Sequence, residues 1–357
     1  MKMGTNEKKI LNYLKLTKIY KSHAELYDLT QEQLDKINSS VLLKNKCLKK
    51  ELTKNTKKVS KKTFIIPVTD GAVTGYLFEN ENRDDPGCLA PLVIFFHGGG
   101  WIFGNIELYS FYCSRLSSQT GARILLVDYR LAPRFKFPTA IEDCYATLEW
   151  AFTGTRYWRV DPDRIYLIGD GAGGNLAAEV SRLARDRKGP KIAGQVLLYP
   201  LTDARMRTNS FEKYSSTISI TNTEVAYYIS QYMNEPKDIL DPLFSPLLAK
   251  DHSRLPNTLI FGAEEDPLHD DGLLYSDALA SADTTVRYME VPGTYHGYAI
   301  IPKVKGSEET GVAIAQFISG KSLSSIKLTT KKELIRINRI EQKSNKMKKK
   351  SSYEIVK

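Results

Sequence analysis

Six short apolar segments, most of them separated by stretches with helical periodicity, constrain the fold of this chain more than any other feature. The predicted strands are PLVIFF (91–96), RILLVDY (123–129), RIYLIG (164–169), QVLLYP (195–200), TLIFG (258–262) and TVRYMEV (285–291). Helical segments are predicted between most of them, for instance at 140–152, 173–187, 271–281 and 308–319. Continuous apolar strands that alternate with helices are typical of a mostly parallel sheet covered on both faces. The sequence therefore predicts an α/β fold.

Two further features extend this pattern at the start and within the second half of the chain. Upstream, TFIIPV and VTGYLF flank the turn-forming residues TDGA, which predicts an antiparallel hairpin. Between Pro200 and Thr258 no strand of the buried type occurs, and NTEVAYYISQYM (222–233) has the pattern of a helix. Because a segment this long is more often a lid than a structureless loop, we expect a cap insertion at about 203–250.

The two ends of the chain differ in charge from its middle. Residues 1–62 contain 16 lysines and 6 acidic side chains, and residues 321–357 contain 12 basic and 3 acidic ones. Residues 63–320 contain 23 basic and 32 acidic side chains. We therefore expect three parts: a basic N-terminal helical segment with a linker (1–62), one acidic domain (63–320) and a basic tail (321–357).

The composition of the tail and of the N-terminus leads to expectations about membranes, nucleic acids and cellular location. The tail favours disorder, and a basic amphipathic helix that contacts anionic membrane surfaces is the alternative. No aromatic residue is interleaved before Tyr353, so we expect no nucleic-acid partner. No apolar run reaches the length of about 18 residues that a membrane span requires. Lysines interrupt the apolar positions of the first 20 residues, so we expect no signal peptide and a cytoplasmic location.

The cysteines argue against a disulfide framework and against a metal centre. Cys47, Cys88, Cys113 and Cys144 lie far apart, with no C-x-x-C pair and no spacing typical of metal ligands. We expect all four to be reduced thiols, and we expect no metal and no cofactor.

The stretch GDGAGGN (169–175) has the sequence surroundings of a nucleophile elbow. It follows a predicted strand and precedes a predicted helix, which is the setting of the G-x-S-x-G motif. In this chain the central position is Gly171, so that the glycine frame is present and the serine is missing.

A second glycine motif, HGGGW (97–101), follows the strand PLVIFF directly. Its backbone amides can point at the oxygen that becomes negative during acyl transfer, although a tight structural turn would use the same residues. Asp266 follows a later strand and His296 follows the last one. Because ligands of open α/β sheets bind at the carboxyl ends of the strands, we expect these elements to converge.

The remaining histidines have no such pattern around them. We expect His97 to hold the glycine loop in place rather than to perform chemistry. His23, His252 and His269 have no partner pattern in the sequence, and we expect them at the surface.

The motifs HGGGW, DYRLAP (128–133), GDGAGGN, DPLHDDG (266–272) and YHGY (295–298) occur in the order found in one known family. Over residues 63–320 the chain resembles the hormone-sensitive-lipase-like esterases of the α/β-hydrolase superfamily. The resemblance implies a helical cap built by residues 1–60 and about 203–250. It further implies that Gly98, Gly99 and Ala172 donate oxyanion-hole amides, that Asp266 orients His296, and that His296 is the general base acting on a small-molecule ester or acyl ligand.

The chain departs from the family pattern at two positions. Arg134 stands after DYRLAP, where family members commonly have an acidic residue, and this affects only the local ion pairs. Gly171 stands at the nucleophile position, and glycine has no side chain with which to form an acyl-enzyme. The sequence thus predicts a near-inactive esterase, in which a water activated by His296 attacks the ester slowly. Neither Asp170 nor Asn175 is expected to replace the serine, because neighbours of the elbow tip point elsewhere.

Two functions from other classes remain compatible with the sequence. A ligand-binding pseudoenzyme or receptor would use the same pocket without turnover, as a hormone receptor among the family's plant members does. A lyase would use His296 as a base and the oxyanion hole to hold an enolate, but the sequence contains nothing specific for it. Glycine also relieves the backbone strain of the elbow, so its presence has a purely structural explanation as well.

Overall fold

A computed structural model of the protein describes residues 29–39, 59–81, 88–104, 106–217 and 219–323. Most of the predicted N-terminal helical segment with its linker (1–62), including His23 and Cys47, lies outside the described residues, as does nearly all of the basic tail. The predictions made for them, including contact with a membrane surface, therefore stay predictions.

One sheet of eight strands forms the centre of the described structure. The strands are β1 (Val59–Val68), β2 (Gly71–Asn80), β3 (Ala90–Phe96), β4 (Arg123–Asp128), β5 (Val160–Asp170), β6 (Gly194–Leu198), β7 (Asn257–Glu265) and β8 (Val286–Tyr295). Their order across the sheet is β1-β2-β4-β3-β5-β6-β7-β8. The pairs β1–β2 and β2–β4 are antiparallel, and all other neighbours are parallel.

Eight α-helices accompany the sheet within the described residues. They are α1 (Gln31–Ser39), α2 (Ile106–Thr120), α3 (Thr139–Gly154), α4 (Ala172–Asp186), α5 (Asn209–Lys213), α6 (Asn222–Tyr232), α7 (His269–Ser281) and α8 (Ser307–Ile318). Short 3-10 turns lie at Pro236–Leu240, Pro246–Leu248 and Tyr298–Ile300.

The sheet is buried on both faces, as its continuous apolar strands predict. Every residue of β3 is buried, and successive side chains alternate between two apolar clusters. Leu92, Ile94 and Phe96 pack with residues of α3, α4 and α7 on one face. Val93 and Phe95 pack with residues of α2 and α8 on the other face. The prediction of a mostly parallel sheet between two helical layers is confirmed.

The predicted hairpin and the six predicted strands are present, with differences at the strand ends. The hairpin is β1–β2, which reverses across Val68 and Gly71. β5 begins at Val160 rather than at residue 164, because Val160 pairs with Ala90 beyond an irregularity in the β3–β5 register. β8 continues to Tyr295, which pairs with Glu265 at the end of β7.

The segment between β6 and β7 contains helices and no strand of the main sheet within its described residues. Several tyrosines of its helix α6 are buried, and the Tyr232 ring stacks on Trp101 at a centroid distance of 4.6 Å with an interplanar angle of 7°. The Tyr228 ring makes an edge contact with Phe103. This segment therefore packs directly on the loop that follows β3.

Two remaining features concern membranes and thiols. Among the described residues, no helix has the length and apolar character needed to cross a bilayer. Cys113 and Cys144 are free, buried thiols, and burial raises the pKa of both.

Candidate active site

The turn between β5 and α4 has the backbone shape of a nucleophile elbow, with Gly171 at its tip. Gly171 has φ 53° and ψ −114°, a left-handed conformation that residues with a Cβ adopt only at a cost. Its amide donates to the Leu198 carbonyl at 2.9 Å. A Cβ on Gly169 would collide with the Gly173 carbonyl, and one on Gly173 would collide with the Phe96 carbonyl. The two outer glycines are therefore required by close backbone packing.

Asp266 and His296 form a hydrogen-bonded pair at the ends of β7 and β8. The Nδ1 atom of His296 lies 2.8 Å from Oδ2 of Asp266, which is fully buried. The other carboxylate oxygen of Asp266 accepts the Leu268 amide at 2.8 Å. Because an ionised carboxylate can only accept, Nδ1 carries the proton and Nε2 remains available as a base.

The environment of His296 favours its protonated form. Burial acts to lower the pKa of His296, but the charge of Asp266, its hydrogen bond to Nδ1 and the charge of Asp170 together raise this pKa above its ordinary value. The His296 side chain remains 17% exposed, whereas the Asp266 side chain is fully buried. This is the arrangement of a general base held by a carboxylate.

Residue 171 faces this base. A Cβ placed on Gly171 would lie 3.1 Å from Nε2 and 3.5 Å from Cε1 of His296, with no other described atom outside residues 170–172 within 4 Å. A side chain at position 171 would therefore meet the His296 ring first. The three sequence-predicted residues Gly171, Asp266 and His296 come together in the structure.

The loop after β3 is fixed by a buried polar network. The His97 imidazole stacks on Tyr129 at 4.2 Å, and its Nδ1 donates to the Gly98 carbonyl at 2.8 Å. Burial lowers the pKa of His97 to about 4, so the ring is neutral near pH 7. The Tyr129 hydroxyl donates to the His97 carbonyl at 2.6 Å. His97 thus has the structural surroundings that the sequence led us to expect.

The amide of Gly98 has buried partners of its own. It donates to Oδ1 of Asp170 at 2.8 Å and lies 3.0 Å from the Tyr109 hydroxyl, which itself donates to Oδ2 of Asp170. An amide held by a carboxylate in this way is not offered to a bound oxyanion. The predicted role of Gly98 as an oxyanion-hole donor conflicts with this arrangement and is corrected accordingly.

The neighbouring amides are better placed for that role. Gly99 is exposed and Gly100 partly exposed, whereas Gly98 is buried. Ala172 is the first residue of α4, where an amide has no partner within its helix. The backbone amides of Gly99, Gly100 and Ala172 donate to no backbone carbonyl of another described loop residue. Gly100 was missed at the sequence level, although the third glycine of HGGGW was available as a signal.

Asp170 and Asn175, which flank the elbow, have structural partners. Burial raises the pKa of Asp170 to about 6, although the hydrogen bonds from Tyr109 and Gly98 act to lower this pKa. The side-chain amide of Asn175 donates to the carbonyls of Leu201 and Phe244 at 3.0 and 2.8 Å. Both side chains hold neighbouring loops, in line with the expectation that neither replaces the serine.

The surface location expected for His252 and His269 is wrong. His252 is 8% exposed, and its Nε2 lies 3.1 Å from the Pro246 carbonyl. His269 lies between two carboxylates, with Nδ1 3.0 Å from Asp270 and Nε2 2.8 Å from Glu290. Burial opposes protonation of His269, but these hydrogen bonds and charges raise its pKa to about 9. The described residues contain no group of three or more His, Cys, Asp or Glu side chains arranged to hold a metal.

Helix α1 is tied to the loop after HGGGW by contacts that the sequence did not reveal. The Asn38 side chain donates to the Ile102 carbonyl and accepts the Gly104 amide, each at 3.0 Å. The unusual Arg134 forms an exposed ion pair with Asp35 of α1 at 3.4 Å. The N-terminal segment therefore contacts the region of the site directly.

Comparison with known proteins shows the family and the fold of this chain. Residues 93–300 match a family model described as the alpha/beta hydrolase fold. An arylesterase of Saccharolobus solfataricus is 38% identical over 213 residues, which are 59% of this chain and 69% of that protein. An ethyl acetate hydrolase of Pseudomonas putida is 32% identical over 233 residues, which are 65% of this chain and 73% of that protein.

The structural comparison extends the similarity over the whole of a solved esterase. The esterase of Pyrobaculum calidifontis superposes with a TM-score of 0.75 at 31% identity, covering 92% of this chain and all of that one. This chain belongs to the hormone-sensitive-lipase-like esterase family of the α/β-hydrolase fold.

Proposed function

We propose that this protein binds small acyl esters in the site around His296 and hydrolyses them slowly, without forming an acyl-enzyme. The observation that carries the proposal is the position of residue 171. Among the described atoms outside residues 170–172, a Cβ there would touch only the His296 ring, and glycine supplies neither that Cβ nor a nucleophile. The esterase relatives, among them an ethyl acetate hydrolase, support short acyl esters as the substrate class.

The mechanism assigns each step to a residue of the pair or to a backbone amide. His296 Nε2 removes a proton from a water, whose oxygen attacks the ester carbonyl carbon. The amides of Gly99, Gly100 and Ala172 donate to the oxyanion of the tetrahedral intermediate. The protonated His296 then gives its proton to the leaving alkoxide, and Asp266 keeps the ring oriented throughout.

We expect slow hydrolysis of p-nitrophenyl acetate by the protein as it is, and in His296→Ala only the smaller rate that needs no base. When the serine nucleophile is removed from a hydrolase, oxyanion stabilisation and substrate binding alone still accelerate the reaction about 10³- to 10⁴-fold over water. The rate should rise with pH through the raised pKa of His296, because only its neutral form accepts a proton. Steady-state rates between acidic and alkaline pH give the profile.

The control for this experiment is His252→Gln, which changes a histidine that contacts Pro246 rather than the site. Its rate should equal that of the parent. A parent rate that survives His296→Ala unchanged contradicts the mechanism. Tight binding of an ester without any turnover would instead favour the ligand-binding pseudoenzyme.

A further inference from the structure

Tyr199, which directly follows β6, has an unusual backbone conformation for a residue with a large side chain. Its φ of 38° lies in the left-handed region, which bulky residues rarely adopt. Its side chain is only 2% exposed, and its amide donates to the Phe261 carbonyl at 2.7 Å. A strained residue of this kind persists only where the surrounding structure determines its conformation, and such residues cluster at functional sites. The strain at Tyr199 therefore calls for a function of its side chain.

The contacts of Tyr199 connect the elbow with the proposed base. The carbonyl of the preceding residue, Leu198, accepts the Gly171 amide at 2.9 Å. The Tyr199 ring lies against the His296 ring, with a centroid distance of 4.8 Å and an interplanar angle of 60°. The Tyr298 ring makes an edge contact with Tyr199 at a centroid distance of 5.5 Å. The Tyr199 ring is thus itself held in place, and it contacts the base directly.

We propose that Tyr199 is a positioning residue, whose ring holds the His296 imidazole in the orientation that directs Nε2 at the attacking water. The inference rests on the proposed function, because it concerns the same base. The hydrogen bond from Nδ1 to Asp266 fixes one ring atom, but the last torsion of a histidine side chain is broad, so this bond alone does not fix the plane of the ring. A second ring packed against the imidazole restricts that plane. Orientation matters because a misplacement of about 1 Å can cost about 10²-fold in rate.

The hydroxyl of Tyr199 has no part in this role. Its oxygen is buried and has no hydrogen-bond partner among the described residues. Burial and the nearby charge of Asp170 raise the pKa of Tyr199 well above its ordinary value, so the hydroxyl keeps its proton near pH 7. We therefore expect the ring alone to be required, and phenylalanine to serve in place of tyrosine.

Substitutions at residue 199 separate the ring from the hydroxyl. Tyr199→Leu keeps an apolar side chain but removes the flat ring, and it should lower kcat for p-nitrophenyl acetate about 10- to 100-fold, at most to the rate of His296→Ala. KM should change little, because the ring acts through the base and not on the ester. Tyr199→Phe should retain the rate that Tyr199→Leu loses. If Tyr199→Leu does not fold, Tyr199→Gly repeats the test, because glycine adopts a φ of 38° without strain.

Tyr275→Leu is the matched control, because Tyr275 is also a buried tyrosine in ring contact with a histidine. Its side chain is 1% exposed, and its ring lies 5.6 Å from that of His252, which contacts Pro246 rather than the site. Tyr275→Leu should lose stability, as Tyr199→Leu does, and keep the kcat of the parent. Thermal melts and steady-state rates of both variants measure this. An equal fall of kcat in the two variants would attribute the effect to lost stability and overturn the inference.

Crystal structures of the variants test the inference independently of turnover. The His296 ring should keep a single orientation in Tyr199→Phe, and it should turn away from residue 171 or adopt several orientations in Tyr199→Leu. If the parent shows His296-dependent turnover, an unchanged kcat in a folded Tyr199→Leu overturns the inference and leaves the proposed function standing. If the parent shows none, the proposed function is overturned, and an unchanged His296 ring in Tyr199→Leu overturns the inference as well.

Discussion

Gly171→Ser should hydrolyse p-nitrophenyl acetate about 10³- to 10⁶-fold faster than the parent protein, because only the attacking atom is missing from the site. The new Oγ would extend from a Cβ that faces His296 Nε2 at 3.1 Å. The base, its carboxylate partner and the free amides are already in place. Initial rates with purified protein measure the gain.

The same substitution should reduce stability. A residue with a Cβ at φ 53° costs about 1–3 kcal/mol, and the short distance to Nε2 requires the His296 ring to shift slightly. Gly171→Ala is the matched control, since it has the same Cβ and the same strain but no hydroxyl. It should lose similar stability and gain no activity. In Gly171→Ser/His296→Ala the gain should disappear, and a folded Gly171→Ser as slow as the parent would contradict the account.

Arg130→Met should lower the free energy of unfolding by about 3–5 kcal/mol, because it leaves a buried carboxylate without its countercharge. The Arg130 side chain makes a two-pronged contact with Asp143, at 2.6 Å to Oδ1 and 2.9 Å to Oδ2. The Asp143 side chain is only 1% exposed. Arg130 also donates to the Thr69 carbonyl at 2.9 Å, which joins the β1–β2 turn to the loop after β4.

The matched control for Arg130 is Arg134→Met, four residues away. Its ion pair with Asp35 joins two side chains that are 58% and 53% exposed. Exposed pairs of this kind contribute about 0–1 kcal/mol. Urea unfolding of the two variants should therefore separate them clearly. Equal losses of unfolding free energy in the two variants would show that the burial of Asp143 does not determine the cost of removing its partner.

The sequence was sufficient for the sheet and for the convergence of Gly171, Asp266 and His296. The strands are buried on both faces, so their apolar runs are continuous and stand out from the helices. Gly171, Asp266 and His296 each follow a strand at the same edge of the sheet, and that position alone predicts their convergence. Helix α2 was not identified, although its buried residues follow helical spacing.

The contacts that modify the site could not be predicted, because their partners are distant in sequence. The Gly98 amide is held by Asp170 and Tyr109, which are 61 residues apart. Asn38 contacts a loop more than 60 residues away. The His269 ring lies 2.8 Å from the carboxylate of Glu290 on β8, which is 21 residues away. Such pairings depend on the tertiary fold and leave no periodic signal in the chain.

The central claim is that this site is complete except for its nucleophile, and covalent labelling with diethyl p-nitrophenyl phosphate tests it most directly. This reagent phosphorylates an activated serine and needs both a base and an oxyanion hole. Intact mass spectrometry should show one phosphoryl group per chain on Gly171→Ser, located at residue 171 by peptide mapping, and none on the parent protein. An unlabelled, folded Gly171→Ser, or a parent protein that is labelled equally well at another residue, would contradict the claim.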